Sequence, residues 1–217
     1  MGYNNYGNSF QRSRTVVINL IIINVLVWVA QLVFDKAGGD LTYTLTNKIA
    51  LSPYDSGEFK PYQLVTYMFG HASYDYFSRN INFFHILFNM YSLWLFGTAL
   101  ERVWGPKRFL IFYLICGLAA GFTQLFLGDG AIGASGAIMG LLAAFGYLFP
   151  NTEFYLMFIP VPIKAKYMVA IYAAIDLFGG LHPGKADNIA HYAHLGGLVM
   201  GFILVIIWNK TNKKTFY

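Results

Sequence analysis

A serine and a histidine in two distant apolar stretches carry the side chains needed for nucleophilic chemistry. Ser135 stands in the turn Gly133-Ala-Ser135-Gly136 at the start of one stretch, and His194 lies in another. A serine hydroxyl is a weak nucleophile until a base within hydrogen-bond reach accepts its proton, and a neutral imidazole is such a base. Polar groups in membrane-like stretches are costly to keep, so they indicate function. If the two side chains meet, they form a nucleophile and its general base.

A second pair of polar residues is suited to stabilising negative charge. His85 and Asn89 are four positions apart, so they share one face of a helix. Both side chains can donate a hydrogen bond to a developing oxyanion. A helix that begins at Ser135 adds free backbone N–H groups and a positive dipole end. The alternative interpretation is that His85 and Asn89 only join helices and that Ser135 only caps one.

Composition places these residues in a membrane protein. Of 217 residues, 57% are hydrophobic and 12% are charged, which is far from the balance of a soluble domain. The sequence therefore predicts an all-α polytopic membrane protein, with one domain over residues 15–208 between a disordered cytoplasmic leader, 1–14, and a cytoplasmic tail, 209–217. Its six predicted transmembrane helices are the apolar stretches 15–34, 84–100, 108–127, 135–149, 165–181 and 189–208.

Basic residues set the predicted orientation. Most of them, including Arg12, Arg102 and Lys164, flank one set of segment ends, which the positive-inside rule assigns to the cytoplasm. Both termini are then cytoplasmic, and the second, fourth and sixth segments begin at the outer face. His194 lies roughly 9 Å along the sixth segment, at a depth comparable to that of Ser135. The basic residues do not form one patch, so nucleic acid is not an expected partner.

Four-residue spacing predicts two close helix contacts, one at Gly97, Glu101 and Gly105 and the other at Gly197 and Gly201. The second pair lies on or near the face of the sixth segment that carries His194. We expect this segment to press against the fourth, which carries Gly136 and Gly140. Such a contact would bring Ser135 and His194 together.

Other polar residues receive structural interpretations. His191 and His194 fit a metal site only weakly, because no Cys, Glu or further His follows at a ligand-like interval, so neither a metal nor another cofactor is expected. His191 is interpreted as a packing or supporting residue, and His71 as a structural one in the first outer loop. Asp176, near the outer end of the fifth segment, is interpreted as a solvated or helix-pairing carboxylate and not as a third catalytic acid.

Together the motifs resemble the rhomboid family of intramembrane serine proteases, in its basic six-helix bacterial form. The resemblance implies a rhomboid-like bundle in the cell (inner) membrane and a serine endopeptidase that cleaves transmembrane protein substrates through an acyl-enzyme. It implies a Ser135 nucleophile, a His194 base, an oxyanion site from His85, Asn89 and the Ser135 N–H, and no third acid. The matches are His85-Ile-Leu-Phe-Asn89, Gly97-x-x-x-Glu101-x-x-x-Gly105, Gly133-Ala-Ser135-Gly136, and Ala193-His194-Leu-Gly-Gly197 with Gly201.

The chain departs from the family pattern at two places. Tyr62-Gln63 stands where the family often has Trp-Arg, so the first outer loop is expected to be anchored differently. Met139 replaces an aromatic residue that stacks on the catalytic histidine in many members, and its thioether is expected to contact that ring instead. Two other functions stay open: a catalytically inactive rhomboid-like protein that binds membrane clients, and a small transporter built around the Gly-broken fourth segment.

Overall fold

The computed structural model describes residues 15–37, 40–75, 78–156, 159–182 and 189–211. Within these ranges the chain forms eight α-helices and two short antiparallel hairpins. The predicted leader, 1–14, lies outside the described residues, as does most of the predicted tail. The elements are α1 (Val16–Phe34), β1 (Lys36–Ala37), β2 (Asp40–Leu41), α2 (Thr44–Ile49), α3 (Gln63–Thr66), α4 (Phe83–Trp104), α5 (Pro106–Leu127), α6 (Ser135–Leu148), β3 (Glu153–Leu156), β4 (Ile159–Lys164), α7 (Ala165–Leu181) and α8 (His191–Thr211).

The helices have the lengths and compositions of a membrane protein. Among the described residues, α1, α4, α5 and α8 are long and apolar enough to cross a membrane, and α6 is apolar but shorter. The outer helices expose large apolar side chains, for example Leu26, Phe84, Phe126 and Phe178. Apolar patches of this extent indicate contact with lipid. The prediction of an all-α protein with several membrane-crossing helices is confirmed at this level.

The start of α1 is bound to the end of α4 through Glu101. The Glu101 carboxylate accepts hydrogen bonds from the backbone N–H groups of Val16 (2.7 Å) and Val17 (3.1 Å). The Thr15 hydroxyl accepts a third from Ile18 (3.3 Å). These acceptors satisfy N–H groups that have no partner within the helix. Glu101 therefore has a capping role in addition to its place in the predicted helix contact.

Gly97 and Gly105 serve different purposes. A Cβ on Gly97 would lie 3.0 Å from the Val17 side chain and 3.2 Å from that of Phe109, so Gly97 allows α1, α4 and α5 to pack closely. A Cβ on Gly105 would meet no atom within 4 Å, but its φ is +77°. The predicted packing role of Gly105 is therefore wrong: it supplies the left-handed backbone between α4 and Pro106, where α5 begins.

The central helix is α6, which packs against α4, α5, α7 and α8. Its residues from Gly136 to Gly146 are all buried. Its closest neighbour is α8: a Cβ on Gly197 would overlap the carbonyl of Gly136, and one on Gly201 would overlap that of Gly140. Because backbone touches backbone at both points, the first turns of α6 and α8 have a fixed relative position. This is the contact that the four-residue spacing predicts.

Candidate active site

A glycine-containing loop sets the position of Ser135. Gly133 has a φ of +129°, which residues with a Cβ rarely adopt. Its N–H donates to the carbonyl of Tyr67 (2.8 Å), and Leu51 exchanges two backbone hydrogen bonds with Ala131 (2.8 and 3.0 Å). The loop is thus held by the long loop between α1 and α4, residues 35–82, which we call the α1–α4 loop. Ser135 follows as the first residue of α6, where backbone N–H groups have no partner within the helix.

The side chains of Ser135 and His194 are in hydrogen-bond contact. The Oγ atom of Ser135 lies 2.8 Å from Nε2 of His194. His194 lies in the first turn of α8, so the glycine contacts between α6 and α8 support this juxtaposition. Its side chain is 18% exposed, so the ring is largely buried but not sealed off. The distance is suitable for proton transfer from a hydroxyl to an imidazole.

Asp176 lies against the other ring nitrogen of His194. Its Oδ1 atom is 3.0 Å from Nδ1 of His194 and 2.8 Å from Nδ1 of His191. The interpretation of Asp176 as a solvated carboxylate is wrong, because its side chain is only 5% exposed. It pairs α7 with α8, and His191 is one of its two partners. Within the described part of the chain, no three His, Cys, Asp or Glu side chains are grouped to hold a metal ion.

The contact with Asp176 determines which His194 nitrogen carries the proton. An ionised carboxylate only accepts hydrogen bonds, so Nδ1–H of His194 donates to Asp176. The lone pair of the neutral ring is then on Nε2, where it accepts the hydrogen bond of the Ser135 hydroxyl. A general base requires this tautomer.

His85 has the opposite tautomer. The backbone N–H of Ala72 donates to its Nδ1 atom (3.0 Å), so Nδ1 holds the lone pair and Nε2 carries the proton. A Cβ on Gly133 would lie 3.1 Å from Nε2 of His85 and 3.8 Å from Oγ of Ser135. The side of Gly133 that carries no side chain therefore faces both the nucleophile and an N–H donor, and a larger residue at this position would crowd the His85 ring.

Asn89 lies one turn after His85 on α4, and its amide is partly engaged. Its Nδ2 atom donates to the carbonyl of His85 (2.8 Å). Its Oδ1 atom is buried and has no partner among the described residues. No hydrogen bond between described residues joins Asn89 to Ser135, so the oxyanion role of Asn89 stays a prediction. The second N–H of its amide group is available for that role.

Behind His85 lies a second buried imidazole, that of His71. The two rings meet edge to face with their centres 5.2 Å apart. Nε2 of His71 lies 2.9 Å from Oδ1 of Asn24, and its backbone N–H donates to the side chain of Gln31 (2.9 Å). Burial, together with the nearby His85, lowers the pKa of His71 to about 3. His71 is therefore a neutral residue that connects the α1–α4 loop to α1.

Sequence reasoning missed Gln124, which holds both halves of the site. Its Oε1 atom accepts from the backbone N–H of Ala193 (2.9 Å), next to His194. Its Nε2 atom donates to the carbonyl of Gly130 (2.8 Å), in the loop before Ser135. Gln124 is buried on α5. The only signal in the sequence is an amide within an apolar stretch, which indicates a bonded polar group without naming its partners.

The two departures from the family pattern can now be located. Gln63 is buried, and its Oε1 atom accepts from the backbone N–H groups of Lys60 (3.1 Å) and Ser52 (3.3 Å). Gln63 therefore anchors part of the α1–α4 loop. Met139 is buried on α6, one turn after Ser135. Its contact with the His194 ring stays a prediction.

Several known proteins are similar to this chain. It is 35% identical to rhomboid protease GluP of Bacillus subtilis over 125 residues, 57% of this chain and 23% of GluP. It is 34% identical to rhomboid protein 1, mitochondrial, of Saccharomyces cerevisiae over 129 residues, 56% of this chain and 37% of that protein. It is 30% identical to RHOMBOID-like protein 12, mitochondrial, of Arabidopsis thaliana over an alignment of 229 positions, which covers 94% of this chain and 60% of that protein. The chain thus spans less than two thirds of the length of each.

The family model that matches is that of the Rhomboid domain, over residues 58–210. The matched range is more than half of the chain and contains Ser135, His194, His85 and Asn89. The chain therefore belongs to the rhomboid family, a family that includes intramembrane serine proteases.

Proposed function

We propose that this chain is an intramembrane serine endopeptidase that cleaves transmembrane segments of membrane proteins. The observation that carries the proposal is the 2.8 Å contact between Oγ of Ser135 and Nε2 of His194. Membership of the rhomboid family adds to it. A serine and a neutral imidazole in this geometry have the chemistry of an acyl-transfer site.

The proposed reaction has two stages. Oγ of Ser135 attacks the peptide carbonyl while Nε2 of His194 takes the hydroxyl proton. The C–N bond then breaks, and His194 returns the proton to the leaving amine, which leaves an ester on Ser135. Water attacks the ester with His194 again as the base, releases the second product as a carboxylic acid and regenerates the hydroxyl.

Negative charge on the substrate oxygen requires donors beside Ser135. We propose that Nε2–H of His85, the backbone N–H of Ser135 and the amide of Asn89 fill this role. Support comes from the tautomer of His85, which places a proton on the nitrogen that faces Gly133. Fixed donors in a water-poor site stabilise an oxyanion more strongly than water does.

We further propose that six helices cross the membrane: α1, α4, α5, α6, α7 and α8. The 14 residues of α6 reach only about 21 Å, against a hydrocarbon core of about 30 Å. Ser135 would then lie below the outer surface, and the irregular backbone before it is tolerable because protein covers it. Residues 15–208 form one membrane domain in this proposal, with both ends on the inner side.

The membrane itself is proposed to be the cell (inner) membrane, with transmembrane proteins as substrates and lipid as the surroundings. Relatives whose names assign them to mitochondria make the inner mitochondrial membrane the alternative. In either membrane the predicted orientation places Ser135 nearer the outer face.

Labelling with a fluorophosphonate tests the proposed chemistry. We expect the purified protein in lipid nanodiscs to form a covalent adduct at Ser135, located by mass spectrometry of the peptide. Ser135→Ala should reduce labelling to background, and His194→Ala should slow it by roughly 10²- to 10⁴-fold, the range for loss of a general base. Ser78→Ala, at an exposed serine of the α1–α4 loop, is the matched control and should label like the wild type.

Cleavage of a model transmembrane substrate with small residues near one membrane face is the companion measurement. We expect products from the wild type and from Ser78→Ala, and none from Ser135→Ala. A folded wild-type protein that neither labels nor cleaves would contradict the protease proposal. Binding of the uncleaved substrate in that case would favour a catalytically inactive client-binding protein.

A further inference from the structure

We propose that Asp176 is a positioning residue for the reaction: it holds His194 as the Nδ1–H tautomer and stabilises the imidazolium that forms when Ser135 loses its proton. This inference rests on the proposed protease function. It differs from the resemblance to the family, which implies no third acid. Two contacts connect the three side chains. Oδ1 of Asp176 lies 3.0 Å from Nδ1 of His194, and Nε2 of His194 lies 2.8 Å from Oγ of Ser135.

Burial strengthens the interaction of the Asp176 carboxylate with the His194 ring. The side chain of Asp176 is 5% exposed, whereas that of His194 is 18% exposed. Opposite charges attract more strongly in apolar surroundings than in water. A carboxylate in such surroundings can therefore favour the imidazolium form of the ring that it contacts. A solvated carboxylate at the helix end would have little such effect.

His191 fixes the orientation of the carboxylate. Its Nδ1 atom lies 2.8 Å from the same oxygen that contacts His194, and its side chain is 6% exposed. A Cβ on Gly179 of α7 would overlap the His191 ring, so the absence of a side chain there lets that ring lie against α7. The hydroxyl of Tyr192 donates to the carbonyl of Gly180 (2.7 Å). One face of α7 is thus bound to the start of α8 at two adjacent points.

The titratable groups that the structure describes around His194 come from three helices. Asp176 approaches from α7, and His191 belongs to α8 itself. His85 of α4 interacts with His194 electrostatically from the other side of the site. Gln124 of α5 and Ser135 of α6 contribute uncharged groups. Among the described residues in this set, Asp176 is the only acid. Its replacement therefore removes the negative charge that contacts Nδ1 of His194.

The test compares fluorophosphonate labelling rates and substrate cleavage for the wild type and Asp176→Asn. Asparagine keeps the shape but removes the charge. We expect kcat and the labelling rate to fall by roughly 10²-fold, within the range for impaired general base catalysis, while KM changes little.

Asp35→Asn is the matched control. Asp35 is also a buried carboxylate, but it accepts from the backbone N–H groups of Leu45 (2.8 Å) and Thr46 (2.9 Å) and contacts neither Ser135 nor His194. This variant is expected to lose stability without a comparable fall in kcat or in the labelling rate at Ser135. A second comparison uses two variants of His191. His191→Asn keeps an amide N–H near the position of Nδ1, whereas His191→Leu has no donor there. We therefore expect His191→Leu to slow labelling several-fold more than His191→Asn.

The outcomes separate this inference from the function on which it rests. A wild-type protein that labels at Ser135, together with an equally stable Asp176→Asn variant of unchanged kcat and labelling rate, would overturn the inference and leave the protease proposal intact. No labelling of the wild type would instead count against the protease. If Asp176→Asn does not fold, ¹⁵N spectra of the wild-type histidines decide: we expect His194 to carry its proton on Nδ1, and an Nε2–H tautomer would overturn the inference.

Discussion

Two imidazoles flank Ser135, and their surroundings prepare them for opposite tasks. Nδ1 of His194 faces the Asp176 carboxylate, which accepts a hydrogen bond. Nδ1 of His85 faces the backbone N–H of Ala72, which donates one. A neutral imidazole has one N–H and one lone pair, so the partner of one nitrogen determines what the other can do. His194 consequently presents a lone pair to Ser135, whereas His85 presents an N–H beside it.

The comparison shows that the residue type alone does not determine the role of a histidine in this site. The partner of His194 comes from α7, and the partner of His85 comes from the α1–α4 loop. A displacement of α7 would therefore affect the base, and a displacement of the loop would affect the proposed oxyanion donor. Asp176→Asn tests the α7 side, and variants of His85 and Ala72 test the loop side.

Removal of the His85 ring should give the largest effect on the loop side. We expect His85→Ala to lower kcat/KM by roughly 10²- to 10³-fold, the usual loss for one oxyanion donor. His85→Gln should retain more activity, because its amide nitrogen can reach the position of Nε2. The measurement is steady-state cleavage of a transmembrane substrate in nanodiscs.

A His85→Gln variant no more active than His85→Ala, at equal stability, would contradict the assignment of opposite roles.

Removal of the hydrogen bond that sets the His85 tautomer should have a smaller effect. Proline has no backbone N–H, so Ala72→Pro leaves Nδ1 of His85 without its donor and allows the proton to move from Nε2 to Nδ1. We expect kcat to fall by about 10-fold, an intermediate loss because the ring stays in place. Ala72→Gly keeps the N–H and is the matched control. Equal kcat values for the two variants, at equal melting temperatures, would show that the tautomer does not matter.

Much of the helical fold can be predicted from the sequence, because apolar length is a strong signal. The stretch 15–34 corresponds closely to α1, Val16–Phe34, and 165–181 to α7, Ala165–Leu181. The stretch 84–100 ends too early, since α4 continues to Trp104. The apolar run stops at Glu101, but that side chain is buried against the start of α1 and does not mark a helix end.

Contacts between distant polar residues could not be predicted in the same way. The sequence indicates the depth of Asp176 in its segment, but not the face of α7 that contacts α8. The donors to Asp35 and the two hydrogen-bond partners of Gln124, the Gly130 carbonyl and the Ala193 N–H, likewise come from separate parts of the chain. The hairpin of β3 and β4 is also hard to predict, because β4 contains Pro160 and Pro162 and proline is uncommon within strands.

The third imidazole, that of His71, offers the smallest test, and it concerns stability. Its pKa in the folded protein is lowered to about 3, mainly by burial, from an ordinary value of 6.5. Between these values the unfolded chain binds a proton that the folded protein does not. The contribution of neutral His71 to the free energy of unfolding is therefore fully present above about pH 6.5. It decreases as the pH falls, by about 2 kcal/mol at pH 5.

His71→Gln separates this effect from other acid-sensitive groups. Glutamine keeps an N–H that can donate to Asn24, as Nε2 of His71 does, but it does not titrate. We expect the variant to lose about 2 kcal/mol less than the wild type between pH 7 and pH 5, measured by denaturant unfolding in one detergent. Parallel stability curves would mean that His71 takes up a proton in the folded protein. The imidazole behind His85 would then be charged at acid pH. His85 would no longer lie among neutral groups, which is what distinguishes its surroundings from those of His194.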